Sequence, residues 1–352
     1  MQLPSVSPRC GWHQNGKIKR AGTKHPSTPN NIWRAVQQVP NNPTLLVIFL
    51  VNICFYFDTE MEIEKGVQRW LVNTSQWDPS PHEFSIAMSV LPSQEHSSIT
   101  RFLKIEDRKR ALVSRLLQYA LVHQVIGIPF DEIAINRTDE GKPYLERHQN
   151  VKFPNFNFNV SHHGDYVAIA SEPICLVGLD IVSCFIPGKE TVSDYIHNFS
   201  SYFSSSEWEK IVNAGSDDDV LDTFFRYWCL KEAFVKALGT GVGYKLDHVE
   251  FHHKDWTDIR VKVDGDVLND WNFWLFELQG RHQIAVARGH PRIASENYKK
   301  TLKQTQFDND LYKLGFHLPN PMFVMRTVEE LCSLFPHGVK SSNSAMNPYQ
   351  RW

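Results

Sequence analysis

A helix that is apolar on nearly every side must be buried, and residues 222–238 read that way. Phe224, Phe225, Tyr227, Trp228, Cys229, Leu230, Ala233, Phe234, Val235, Ala237 and Leu238 leave no broad polar face. Yet Lys231, Glu232 and Lys236 stand in its middle. At about 100° per residue, Glu232 falls between Phe225 and Trp228, and Lys236 lies one turn above it. The plain reading is an i,i+4 pair between Glu232 and Lys236, worth roughly a few tenths of a kcal/mol. The functional reading needs an outside partner for Glu232, either a metal or a substrate proton. Glycines at 239, 241 and 243 end the helix.

The pattern around this helix is α/β. Residues 105–124 read as an amphipathic helix with Ile105, Leu112, Leu116, Leu117, Ala120 and Leu121 on one face. Glu106 and Asp107 suit its first turn, and Gly127 with Pro129 stops it. Strands are expected at 69–73, at 133–135, through Phe156, Phe158 and Val160, and at 166–170. Ser161-His162-His163-Gly164-Asp165 would form the connecting turn. A strand at 175–182 carries Gly178-Leu179-Asp180, and further strands are expected around 249–251, 260–263, 273–278 and 284–287. The Pro- and Ser-rich stretch 77–92 reads as a loop, as does polar 215–219. The Glu172–Pro173 step is a candidate boundary between a first half, 61–173, and a second half, 174–300. Residues 301–352 read as a tail with one short helix at 327–334.

Composition narrows the class. With 37 Lys+Arg against 39 Asp+Glu, the chain lacks the basic excess of a general nucleic-acid binder. Its six cysteines show no Cys-x-x-Cys and no paired spacing, so reduced thiols in a cytosol-like compartment fit better than a disulfide framework. No run reaches the ~18 apolar residues of a membrane span; the nearest, 45–57, is broken by Asn52. Residues 1–57 hold no Asp or Glu but carry Arg9, Lys17, Lys19, Arg20, Lys24 and Arg34. Three readings of residues 1–60 stand open: an organellar transit segment, a short anchor through 45–57, or a stretch outside the working protein with Met61 as the natural start.

Several groups look chemical. Asp180 lies in an apolar strand, where a buried carboxylate is costly unless paired or metal-bound, and Gly178 lets another backbone or a ligand approach closely. The plain alternative has Asp180 bonding backbone amides at a strand end. Two carboxylates, Asp180 and Glu232, without a Cys/His set point to a hard cation, Mg²⁺ on a phosphate. Asn159-Val-Ser161-His162-His163-Gly164 is a polar turn between strands, read either as a plain hairpin turn or as a site where His162 donates to a phosphate. Arg137 to Lys142 is a basic turn that would hold an anion, or a solvated one. Gly239-Thr-Gly-Val-Gly243 follows a helix instead of opening one, so it is set aside as a dinucleotide loop. His248, His252 and His253 lack a completing zinc ligand.

Taken in order, Gly141-Lys-Pro143, Phe158-Asn-Val-Ser-His162, Val177-Gly-Leu-Asp180 and Trp228-Cys-Leu-Lys-Glu-Ala-Phe-Val-Lys236 resemble the Sfp-type 4′-phosphopantetheinyl transferases. More narrowly they are similar to the eukaryotic aminoadipate-semialdehyde-dehydrogenase type. The resemblance covers roughly residues 65–290. It implies a fold of two similar α/β halves related by a pseudo-twofold axis, with coenzyme A in the cleft between them. It implies transfer of the phosphopantetheine arm of coenzyme A to a serine of an apo acyl-carrier or peptidyl-carrier protein, releasing adenosine 3′,5′-bisphosphate. Asp180 and Glu232 would hold Mg²⁺, Glu232 would serve as base, and Lys236 would neutralise phosphate charge. Arg110, Arg137, Lys142, Asn159, Ser161 and His162 would bind coenzyme A. Two positions depart from the pattern: Val182 stands where bacterial members often have a second acid, and Glu106 near where animal members place an arginine. A monomer is expected, in the cytosol, or in a plastid or mitochondrion if residues 1–60 act as a transit segment. The rival from another class is a non-catalytic module that binds a carrier protein or coenzyme A.

Overall fold

The computed structural model describes residues 61–146, 152–186, 188–303 and 309–335. The basic N-terminal extension, and with it the 45–57 stretch, lies outside these residues. Among them, no helix is long and apolar enough to cross a membrane.

The first half opens on β1 (Gln68–Asn73). The expected loop that follows instead folds as α1 (Pro81–Ser89) and α2 (Ser93–Thr100). Its Pro and Ser are helix-start signals. Ser80 and Glu83 form a capping box, and Pro81 occupies the first turn, where no backbone N–H is needed. Next come α3 (Ile105–Ile126), closed by Gly127 at φ 82°, then β2 (Ile135–Arg137) and β3 (Pro143–Leu145). The half ends in the hairpin of β4 (Asn157–His163) and β5 (Tyr166–Glu172). Because His163 pairs with Tyr166, Ser161 and His162 lie within the strand. The expected five-residue turn is only Gly164-Asp165, with Gly164 at φ 56°.

The second half repeats the plan. It runs through β6 (Leu176–Ser183), α4 (Val192–His197), α5 (Ser205–Val212) and α6 (Asp217–Leu238). It continues through β7 (Val249–Lys254), β8 (Thr257–Val263), β9 (Asp266–Val267), β10 (Trp271–Leu278) and β11 (His282–Gly289). Polar 215–219 is not a loop: Ser216 and Asp219 form a capping box, and the aspartates at 217–219 face the positive end of the helix. The described residues end with α7 (Glu296–Lys299), α8 (Asn309–His317), β12 (Val324–Met325) and α9 (Val328–Ser333).

The two main sheets run β12-β1-β5-β4 and β10-β11-β6. Leaving β12 aside, their order is the same: the first strand of each half pairs with its last, and the last with the one before. Each half also inserts a 22-residue helix after its first strand. Strand alternation sorts the apolar residues into layers. Trp70, Val72, Phe158, Val167 and Ile169 pack under α3. Leu71, Ala168 and Ala170 meet Val177, Leu179, Ile181, Ile284 and Val286 between the sheets. Leu176, Val182, Ala285 and Ala287 pack under α6. The order is helix, sheet, sheet, helix.

Of the segment expected as a tail, the described residues 309–335 form a packed strap, with the short helix where it was expected. Tyr312 Oη donates to the Asp270 carbonyl (2.8 Å) on the second half. The strap then passes a fully buried cluster in which Glu172 pairs with both Arg69 and Arg288. Arg288 also donates to the Leu318 and Pro319 carbonyls, and Arg69 to Asn320. β12 next pairs in parallel with β1, and Val328, Leu331 and Phe335 join the first core.

Candidate active site

The close approach of α6 to β6 sets the site. A Cβ on Gly178 would lie 1.8 Å from the Ala233 carbonyl oxygen, so only glycine lets the helix backbone descend onto the strand. Two residues on, along the same face, stands Asp180. Its carboxylate is buried, pairs with Lys236 Nζ, and accepts the Ser161 hydroxyl (3.1 Å). Ser161 Oγ accepts in turn from Lys236 Nζ (3.0 Å). Asp180 is thus held by side chains rather than by backbone amides.

The three charges of α6 are handled in different ways. Lys231, fully buried, pairs with Glu207 of α5 (2.7 Å) and donates to the Leu246 carbonyl (2.8 Å), so it is structural. Lys236 turns to Asp180, and no pair with Glu232 forms. Burial opposes its charge, but Asp180 and Glu232 hold its pKa above the ordinary value. Glu232 has no hydrogen-bond or ion-pair partner among the described residues; burial, then the neighbouring Asp180, raises its pKa, against the pull of Lys236. An acid in that state is a ready proton acceptor or cation ligand.

Both residues open onto a cleft of about 460 Å³ whose wall includes Arg137, Lys142, Asn159, Val160, Glu232 and Lys236. Of the expected binding residues, Arg137, Lys142 and Asn159 line this cleft, whereas Ser161, His162 and Arg110 do not, and several are otherwise engaged. Lys142 Nζ donates to the Val177 carbonyl (3.0 Å) and the Lys236 carbonyl (2.5 Å) and lies 4.5 Å from the Tyr298 ring centre. Burial, with Lys236 nearby, pushes its pKa down to about 7. It ties the β3 turn to both β6 and the last turn of α6. Asn159 Oδ1 accepts the Leu179 N–H (2.8 Å) and Ser161 Oγ the Ile181 N–H (3.3 Å). Burial pushes His162 down to about 4, so it is neutral near pH 7 and offers one N–H rather than a charge. Arg110 donates to the Gly164 carbonyl (2.8 Å) and to Asp107 (2.5 Å), outside the cleft wall. Exposed Arg137 donates to the Gly141 carbonyl (2.8 Å). Val182 is buried under α6, where it offers no ligand atom.

Sequence reasoning passed over part of the wall. Gly239, Thr240, Gly241 and Gly243 line the cleft. A Cβ on Gly239 (φ 69°) would meet Tyr298 Cβ at 2.9 Å, and one on Gly241 (φ 68°) would meet Glu140 Cβ at 3.0 Å. The signal lies in Gly239 and Gly241, which follow a buried charged helix and mark a close approach, whatever their fit to a dinucleotide loop; a Cβ on Gly243 would meet nothing within 4 Å.

A family profile described as "4′-phosphopantetheinyl transferase, N-terminal" matches residues 75–174, and one described as "4′-phosphopantetheinyl transferase superfamily" matches residues 176–287. The L-aminoadipate-semialdehyde dehydrogenase-phosphopantetheinyl transferase of Rattus norvegicus is 34% identical over 249 residues, covering 68% of this chain and 81% of its own. The chain belongs to the 4′-phosphopantetheinyl transferase family. The Homo sapiens enzyme of the same name is 34% identical (63% of this chain, 75% of its own), and a phosphopantetheinyl transferase of Thraustochytrium sp. is 30% identical (65% and 83%). A solved holo-[acyl-carrier-protein] synthase of Thermotoga maritima overlaps 33% of this chain and 64% of its own, with 22% identity and a TM-score of 0.24. The family and the names of these relatives indicate a 4′-phosphopantetheinyl transferase. Family membership implies coenzyme A and a carrier protein as its substrates.

Proposed function

We propose that the cleft carries out Mg²⁺-dependent transfer from coenzyme A to a carrier serine, releasing adenosine 3′,5′-bisphosphate. The observation that supports this reading is Glu232, unpaired at the wall of the cleft beside the Asp180–Lys236 pair. The donor set fits the metal. Mg²⁺ binds through one or two carboxylates and fills its other positions with water and substrate phosphates. Asp180 and Glu232 would hold it, and when bound it would offset the charge that builds on the pyrophosphate as the arm leaves.

The chain's own residues supply the rest. Glu232, its pKa raised, accepts the proton of the carrier serine directly or through water. Lys236 keeps Asp180 oriented and places positive charge beside the departing phosphates. Arg137 stands at the rim for the nucleotide phosphates, and neutral His162 donates one hydrogen bond. Lys142 and Asn159 line the wall, and Ser161 holds Asp180 and Lys236 together behind it. The cytosol is the proposed compartment.

Intact mass of an apo acyl-carrier protein incubated with the enzyme, coenzyme A and Mg²⁺ tests this. We expect a gain of one phosphopantetheine arm, lost with EDTA and reduced about 10³-fold or more by Glu232→Gln. Undiminished transfer by Glu232→Gln would sink the assignment of the base.

A further inference from the structure

β6 is an edge strand, paired with β11 on one side only. The backbone N–H groups on its other edge need partners, and an open edge would invite a foreign strand. β4 is likewise the edge of its own sheet, yet the two strands do not pair through their backbones. Alternate side chains of β4 reach across instead. Asn157 Oδ1 accepts from Val177 N–H (3.0 Å), Asn159 Oδ1 from Leu179 N–H (2.8 Å), Ser161 Oγ from Ile181 N–H (3.3 Å) and His163 Nδ1 from Ser183 N–H (3.1 Å). Every rung joins residues 20 apart in sequence. A one-residue slip would turn every acceptor away from its N–H, so the seam fixes the register of β6 against the first half. Asp180 sits between the second and third rungs.

The geometry points to this seam as the device that positions Asp180 for the transfer reaction, with His163 as its end rung and a positioning residue. The inference rests on the transferase reading for its kinetic consequence and on the hydrogen bonds alone for its existence. His163 can accept at Nδ1 only while that nitrogen is unprotonated. Burial, with His282, Arg110 and Lys236 nearby, pushes its pKa down to about 4 against the pull of Asp180, which keeps it in that form. Asn157 extends the seam away from the cleft: its amide also donates to the Asn155 and Cys175 carbonyls (2.9 and 2.7 Å), and its oxygen accepts Tyr298 Oη (3.3 Å).

His163→Ala removes the rung. His163→Asn keeps an acceptor where Nδ1 stood, the group already used at 157 and 159, but deletes imidazole chemistry. On the full chain, the Ser183 amide should exchange with solvent about ten-fold faster or more in His163→Ala and return to within about three-fold of the original rate in His163→Asn. Transfer to an apo carrier should follow the same order. A fall in kcat of about ten-fold is expected for His163→Ala, with KM for coenzyme A within about two-fold, and recovery in His163→Asn. If Ser183 exchanges equally fast in His163→Ala and the unaltered protein, the rung does not exist. If His163→Asn restores protection but not kcat, the imidazole itself takes part in the chemistry and the positioning role is wrong. Should the unaltered protein load no carrier, the transferase reading falls by itself, and the exchange pattern still decides the seam.

Discussion

Helices α3 and α6 are the same length, follow the first strand of their halves, lie on sheets of like order and end in left-handed glycines. They differ in where they keep their charge. α3 carries Glu106, Asp107, Arg108, Lys109 and Arg110 in its first turns and is apolar where it meets its sheet, with Ser114 and Gln118 bonded to each other. α6 carries Lys231, Glu232 and Lys236 in its C-terminal half, Lys231 buried and the other two half-buried. The repeated scaffold has been specialised on one side: the second half holds the reactive groups, while the first supplies turn, strand and rim. Among these three charges, Lys231 is met by Glu207 and Lys236 by Asp180, while Glu232 has no such partner among the described residues.

Gly178→Ala should break the comparison most severely. The first half separates helix from sheet with side chains and has no glycine in β1, β4 or β5, whereas Gly178 admits the backbone of α6 itself. We expect a loss of about 4 kcal/mol or more in denaturant unfolding; an unchanged midpoint would show that the contact can relax. Next is Glu207→Ala, which strands a buried ammonium and should cost about 3–5 kcal/mol, largely recovered when Lys231→Met is added. Failure of the double variant to recover would mean that Glu207 matters for its bond to Phe251 N–H (2.8 Å) instead.

The two closing glycines give a finer contrast. Gly127→Ala meets nothing within 4 Å and should cost only the left-handed strain, about 1–2 kcal/mol. Gly239→Ala adds contacts with Tyr298 and, at 3.2 Å, with Lys142 Cδ, so it should cost more and also lower activity; equal thermal shifts would refute this. The smallest effect is a pH dependence. Lys142 has its folded pKa pushed from 10.5 to about 7, so the unfolded chain binds the proton more tightly. The penalty is full below about pH 7 and is relieved as pH rises from there toward 10.5. Stability should therefore gain on the order of 1 kcal/mol between about pH 7 and 8.5, and Lys142→Met should flatten that rise.

The residues explain which of these features could be read in advance. α6 and β6 were legible because apolar runs, a flanking glycine and misplaced charges are local signals. The two-half α/β fold followed from the resemblance, whose motifs fall on the same elements; the order of its layers did not. The seam was not legible: Asn157, Asn159, Ser161 and His163 alternate with apolar residues just as a solvated strand face does, and only the neighbouring edge reveals their use. The Lys231–Glu207 pair joins elements that share no sequence pattern. Helices α1 and α2 were hidden because Ser and Pro mark helix starts as well as loops. Lys142 looked like an exposed turn residue because its burial depends on α6 and Tyr298, both far along the chain.

The strap has a consequence for how the molecule is made. β1 finds its parallel neighbour at Val324 and Met325, and α3 completes its packing with Val328, Leu331 and Phe335. A ribosome must therefore deliver the whole second half before the first can finish its sheet. Such distant pairings fold slowly and leave early surfaces exposed to other chains during synthesis. The half that emerges first is the half that is completed last.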